Sequence, residues 1–177
     1  PVNGELFVVA LVVFSPMLSR QWGSSLPIYP GKGYSVTLPT ADPELLPRFG
    51  GVDEDNLLAY CPMGNRLRIT ATAEIGSYST RHQPRDFRVM LQKTQDLMPR
   101  AAQYSKPDYW AGLRPMTPTG LPFIGRTHGS NVWLNTGHGH MGWTMSCGSA
   151  RILADLIAGQ NPQIPLDGMD PATMRIM

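Results

Sequence analysis

Three glycines, Gly137, Gly139 and Gly142, stand at G-x-G-x-x-G spacing within the run NVWLNTGHGHMGWTMSCGSARILADLIAG, residues 131–159. Such spacing lets a backbone turn approach an electron-rich ligand at the start of a helix, where the first amides lack partners and the dipole is positive. The flanks suit that placement. Val132, Trp133 and Leu134 read as an apolar strand, Met145, Ile152, Leu153, Leu156 and Ile157 recur at helical spacing, and Gly159 with Pro162 supplies the stop. The rest of a dinucleotide fingerprint is missing: proline-rich residues follow the helix where a second parallel strand ending in an acid is needed, and Asp155 lies inside the helix. Two readings stay open, a ligand contact at the turn or a tight strand-to-helix connection whose glycines serve packing alone.

Other residues could do chemistry. Arg114 sits between Leu113 and Pro115 in the run DYWAGLRPMTPTGLPFIG, among residues that read as buried. A buried guanidinium needs an anionic partner, because an unpaired charge there costs several kcal/mol. The partner is an internal carboxylate or the carboxylate of a ligand. Arg66 and Arg68 alternate with Leu67, Ile69 and Ala71 and so share one face of a strand, either a solvated face or a positive wall over an anion. His138 and His140 form a His-x-His pair with no third ligand in register, so no metal site is expected. His138 reads as a hydrogen-bonding element of the turn, and His140 as either pocket lining or structure. Cys61 and Cys147 lack metal or redox spacing and read as buried free thiols of a reducing compartment.

The elements that position these residues form a mixed α/β pattern. A chain of 177 residues with 42% hydrophobic content can build a real core. Its formal charge of +2, without a basic run interleaved with aromatics, argues against nucleic acid. The apolar run Leu6 to Met17 is too short to span a bilayer and has no charged segment before it. Leu6 to Phe14 reads instead as a strand buried on both faces, which requires neighbours on either side. A core strand placed this early suggests that those neighbours lie in sequence not present here, in a larger protein of which this is the C-terminal part. After a short polar helix or turn, Tyr34, Val36 and Leu38 alternate with Ser35 and Thr37 in a strand, and residues 39–51 form a loop. Leu57 to Cys61 and Asn65 to Ala73 then read as a hairpin about Pro62-Met63-Gly64-Asn65. Arg85 to Met98 reads as an amphipathic helix with Phe87, Val89, Met90, Leu91, Thr94, Leu97 and Met98 on its apolar side. Residues 108–125 read as a strand and a proline-punctuated loop back to the central strand.

Taken together, YPGKGYSVTL, NRLRITATAE, YWAGLRPMTPTGLPFIG and NVWLNTGHGHMGWTMSCGSARILADLIAG resemble the flavin-dependent D-amino acid dehydrogenases, within the group that includes D-amino acid oxidase, glycine oxidase and sarcosine oxidase. The likeness runs from about residue 6 to residue 161 and covers the C-terminal part of such an enzyme. It implies a two-domain flavoprotein: a late strand of the FAD-binding domain in residues 1–23, a substrate-binding domain with an antiparallel sheet in 24–118, and a return to the FAD-binding domain with a C-terminal tail in 119–177. The family's own G-x-G-x-x-G for the FAD pyrophosphate belongs to an N-terminal βαβ unit, so a chain or segment supplying that half is an implied partner. Two departures bear on function. The family usually has a glycine near Val12, where the backbone passes close to the cofactor, and a small or hydroxyl residue where this chain has His140.

The resemblance implies FAD as cofactor and oxidative deamination of an amino acid, a D-amino acid first, to an imino acid that hydrolyses to a keto acid. Arg114 becomes the catalytic anchor of the substrate carboxylate, with His140 and Tyr60 as further substrate contacts. Gly137, Gly139, His140, Met141, Gly142, Trp143 and Thr144 become the flavin contacts, the Thr144 amide and hydroxyl lying near the C2 carbonyl. Alternatives are a glycine, sarcosine or proline-type enzyme using the same arginine, and a non-catalytic subunit of the same fold. A quinone or another redox protein as electron acceptor would place a cytoplasmic enzyme peripherally at the inner membrane.

Overall fold

The computed structural model describes residues 4–40, 42–128 and 131–171, so the expectations for the first three residues and for the end of the tail lie outside the described residues. The chain divides into two compact units, one built from Pro1–Gly31 and Arg114–Met177 and the other from Lys32–Leu113. Strand β2 (Tyr29–Pro39) and strand β6 (Asp108–Met116), each crossing a boundary, carry the chain from one to the other. Strands and helices combine in a mixed α/β architecture with an antiparallel hairpin, as the pattern of periods indicates.

In the first unit, β1 (Phe7–Val9) runs parallel to β8 (Val132–Thr136), which pairs antiparallel with β7 (Phe123–Arg126). Val9, Leu26, Ile28, Phe123, Val132 and Leu134 form the core on one face, with Phe7 and Leu18 against it. The apolar run beginning at Leu6 is therefore not one long strand. It stops at Val9, passes through a 3-10 turn (Val12–Phe14), and enters the short helix α1 (Ser15–Ser19), where Pro16 stands in the first turn. Hydroxyl chemistry enforces the break. Leu11 N–H donates to Ser15 Oγ at 3.2 Å, Ser15 Oγ and Thr136 Oγ1 share a hydrogen bond of 2.8 Å, and Thr136 Oγ1 donates to the Val12 carbonyl at 3.2 Å. Within this chain one face of β1 is covered, Val9 being 3% exposed and Val8 46%. One neighbour, β8, comes from within the chain, and β1 is the edge of the sheet among the described residues.

In the second unit the strand order is β3 (Gly51–Asp53), β4 (Leu58–Met63), β5 (Arg66–Ile75), β2 and β6. The hairpin is tighter than its sequence suggests. Met63 pairs with Arg66, so Pro62 and Met63 belong to the strand and the turn is Gly64-Asn65, with Gly64 at φ +62°. Tyr34, Val36, Leu38, Leu58, Leu67 and Ile69 face the core, where helix α2 (Arg88–Leu97) adds Met90 and Phe87 precedes it. Each such side chain contributes about 1.5 to 3 kcal/mol through burial. Val89 and Leu97, expected on the apolar side of α2, are exposed: Phe87, Met90 and Thr94 define the buried stripe, Val89 falls off it, and Leu97 continues it but is the last residue of the helix. Both cysteines are free thiols but exposed rather than buried. Cys61 lies cross-strand from Arg68, opposite in parity to core-facing Leu58 and Tyr60, and Cys147 lies on the outer side of helix α3 (Gly142–Ile157).

Val12 adopts φ +53°, the left-handed region that a β-branched side chain resists. Val12→Gly in the full polypeptide should therefore raise stability by about 1 kcal/mol, the left-handed penalty less the added entropy cost of glycine. Urea midpoints at unchanged slope test this; a lower midpoint for the variant would show that the valine side chain contributes more through packing than it costs in backbone strain.

Candidate functional site

The glycine turn closes the first unit's sheet onto α3. Gly137, at φ +83°, follows β8, and a Cβ there would stand 2.9 Å from Thr117 Cγ2 and 3.3 Å from Phe123 Cδ2. Gly139, at φ +55°, donates its amide to the Pro115 carbonyl at 3.0 Å. The His138 carbonyl accepts from Met141 N–H at 3.1 Å, and α3 begins at the next residue. The three glycines thus differ. Backbone conformation accounts for Gly137 and Gly139, and packing also for Gly137. Gly142 is required by neither, since its φ is ordinary and a Cβ there would meet only His138 Cβ, at 3.4 Å.

The start of α3 is electrostatically bare. Its N-cap is Met141, no side chain caps it, and its first turn holds no acid. The first-turn amides of Gly142, Trp143 and Thr144 therefore present the positive end of a 16-residue helix. His140 and Thr144 are exposed here, Met141 is 42% exposed and Trp143 is 93% exposed. Uncapped amides beside a glycine with room above it suit an electron-rich, planar group.

Arg114 lies in β6, immediately before the carbonyl that holds Gly139. It is half-buried, and among the described residues no carboxylate lies within salt-bridge distance and no acceptor takes a hydrogen bond from its guanidinium. Of the two partners open to it from the sequence, the internal carboxylate is absent among the described residues. Tyr60 belongs to the second unit, where it packs against that unit's core with its ring over Gly51. The structure brings together Arg114, Pro115, the turn and the start of α3 within the first unit, and places Tyr60 in the other.

Two buried polar atoms, His138 Nε2 and Asn135 Oδ1, make no hydrogen bond. Burial pushes the His138 imidazole below its ordinary value of 6.5, so it is neutral at pH 7. Sequence reasoning did not single out Met116, whose side chain fills the space over Gly31 and approaches Gly139. It also passed over Ser15 and Thr136, whose hydroxyl pair joins α1 to the end of β8. A lone serine or threonine carries no sequence signal for a partner more than a hundred positions away. Among the described residues no group of three His, Cys, Asp or Glu side chains could hold a metal, and no helix is long and apolar enough to cross a membrane.

The glycines should separate on substitution. Gly137→Ala should cost about 2 to 4 kcal/mol from strain and overpacking, whereas Gly142→Ala should stay within about 1 kcal/mol of the parent. Equal losses in denaturant melts would contradict the distinction. Because the folded-state pKa of His138 is depressed, the unfolded chain binds more protons near and below pH 6.5. Its contribution is complete above that pH and is lost as pH falls through the folded value, so His138→Gln should flatten the fall in stability between pH 7.5 and the acid side of this window; an unchanged slope would show that this histidine does not titrate with unfolding.

Known proteins resemble this chain along most of its length. The family model described as FAD dependent oxidoreductase matches residues 3–156. The chain is 47% identical over 169 residues to D-amino acid dehydrogenase 2 of Mesorhizobium japonicum, covering 96% of this chain and 41% of the relative. It is 44% identical over 162 residues to D-amino acid dehydrogenase of Dechloromonas aromatica, covering 92% of this chain and 39% of that one. Glycine oxidase from Geobacillus kaustophilus superposes with a TM-score of 0.84 at 26% identity, over 98% of this chain and 47% of that structure. L-proline dehydrogenase from P. horikoshii shares the fold, with a TM-score of 0.80 at 19% identity, over 94% of this chain and 46% of its own. The chain thus spans about two fifths of the length of these curated relatives. With a match over nearly its whole length, the chain belongs to the FAD dependent oxidoreductase family.

Proposed function

We propose that this chain supplies the substrate anchor and a flavin-contacting turn of a FAD-dependent amino acid dehydrogenase that deaminates a D-amino acid to an imino acid, which hydrolyses to the 2-oxo acid. The observation that carries this reading is Arg114: a half-buried guanidinium without a carboxylate among the described residues, one position before the carbonyl that pins the glycine turn. The names of the curated relatives favour a D-amino acid as substrate, and their greater length favours a further segment or chain carrying the remainder of the FAD site.

Bound FAD would supply the two-electron acceptor for hydride from the substrate Cα. The residues of this chain do the rest. Arg114 can grip a carboxylate through two parallel hydrogen bonds and so fix rotation about the bond to Cα. The amides opening α3 stabilise negative charge that develops beside them, and Gly142 keeps the approach to them clear. His138, held neutral by burial, adds no second positive charge to the turn. His140, Met141, Trp143 and Thr144 lie at this helix start with their side chains accessible to a ligand. The likeness to glycine oxidase supports a second reading, an oxidase or dehydrogenase of glycine or a secondary amino acid anchored by the same arginine. A quinone or another redox protein is the proposed final acceptor, met at a membrane surface.

Two variants of the flavin-loaded full polypeptide test the proposal. Arg114→Lys should lower kcat/KM by about 2 to 4 kcal/mol in transition-state terms, through lost bidentate contact and orientation, while flavin content stays normal. A large stability loss with unchanged turnover per folded molecule would assign Arg114 to structure instead. Gly142→Val should lower flavin content, and full retention of the cofactor would remove the turn from the flavin site. Assay of D- and L-enantiomers beside glycine and proline separates the two substrate readings.

A further inference from the structure

The second unit carries an unassigned cationic plate. Along β5, Leu67 and Ile69 face the core, so Arg66, Arg68 and Thr70 take the opposite face, joined by Ser35 and Thr37 of β2 and Trp110 of β6. Arg68 Nη2 donates to Ser35 Oγ at 2.8 Å and Nη1 to Thr37 Oγ1 at 3.4 Å, and its Cζ stands 5.5 Å from the centroid of the Trp110 ring. Both hydroxyls are nearly buried, 2% and 7% exposed. All the partners of this half-buried guanidinium are neutral, and no carboxylate is paired with it among the described residues. The acid of its own strand is turned away. Thr72 adopts φ +25°, and beyond this irregularity Glu74 accepts from Tyr34 Oη at 2.5 Å and pairs with Lys32 Nζ at 3.9 Å.

The indole beside Arg68 lies across Gly112, where any Cβ would collide with the ring, and yet Trp110 is 53% exposed. A flat ring seated on a glycine, open to solvent and stacked with a guanidinium that has spare N–H donors, is the pairing that recognises a planar organic anion. We propose that Arg68 and Trp110 form a binding site for a planar carboxylate, the carboxylate on Arg68 and its flat body on the indole. Arg66, two positions along and on the same face, adds a second positive charge. Cys61, cross-strand from Arg68, and Met63, cross-strand from Arg66, give the plate a soft apolar margin. The site uses none of the residues assigned to the substrate anchor.

The probe is benzoate, with benzamide as its uncharged counterpart, titrated into the flavin-loaded full polypeptide while the Trp110 indole N–H resonance, assigned with Trp110→Phe, is followed. Benzoate should shift this resonance saturably, benzamide should bind at least tenfold more weakly, and Arg68→Gln, which can still bond both hydroxyls, should weaken benzoate at least tenfold. Gly112→Ala, which lifts the ring while keeping the charge, should also weaken it. Arg114→Lys should leave the indole response intact, so failure of the substrate anchor and failure of this site are told apart. The assignment is overturned if benzoate leaves the indole unmoved, if benzamide matches it, if Arg68→Gln binds as the parent does, or if Arg114→Lys abolishes the response.

Discussion

The hydrogen bond from the Gly139 amide to the Pro115 carbonyl holds the first unit's site in register. It fastens the turn after β8 to the residue that follows Arg114, so the Arg114 backbone and the start of α3 are tied together. The bond requires Gly139 in a left-handed conformation, and the turn requires Gly137 in another, with Thr117 and Phe123 pressed against it. Rigid placement of this sort matters to any reaction that depends on alignment, where a displacement of about 1 Å can cost a hundredfold in rate.

A second hydroxyl-based tie serves the same sheet from the other side. Ser15 and Thr136 are both essentially buried, and their shared hydrogen bond converts an apolar run that could continue as a strand into a turn and a helix. The left-handed Val12 stands inside this tie, its carbonyl taken by Thr136 Oγ1. Strain of this kind persists only where surrounding contacts over-determine the backbone. Here one side of the run packs into the core while Leu6, Val8, Leu11, Val12, Phe14 and Met17 stay accessible.

The second unit solves a different problem. Strand β2 is buried on both faces, with Tyr34, Val36 and Leu38 on one and Ser35 and Thr37 on the other. Buried hydroxyls need partners, and Arg68 supplies them from the neighbouring strand. The polar face is thus a consequence of burying a sheet that is apolar on one side only. It leaves a guanidinium and an indole at the surface with bonding capacity to spare.

Local order was legible in the sequence wherever one period dominated. The β4–β5 alternation, the helix ending at Ile157 and the mixed α/β class follow from residues whose neighbours in the chain are their neighbours in space. The motifs likewise carried the family, because the glycine turn and the Arg114 run are contiguous. The length of β1 was not legible, since its break depends on Thr136, far along the chain. Nor were the outward turns of Val89 and Cys61, which helix phase and strand register decide. The glycine spacing could not by itself divide the glycines that backbone and packing require from the one they do not. That division needed the positions of Thr117, Phe123 and His138, because what a missing Cβ makes room for is a property of the surrounding atoms, and only the tertiary structure brings those atoms to the turn.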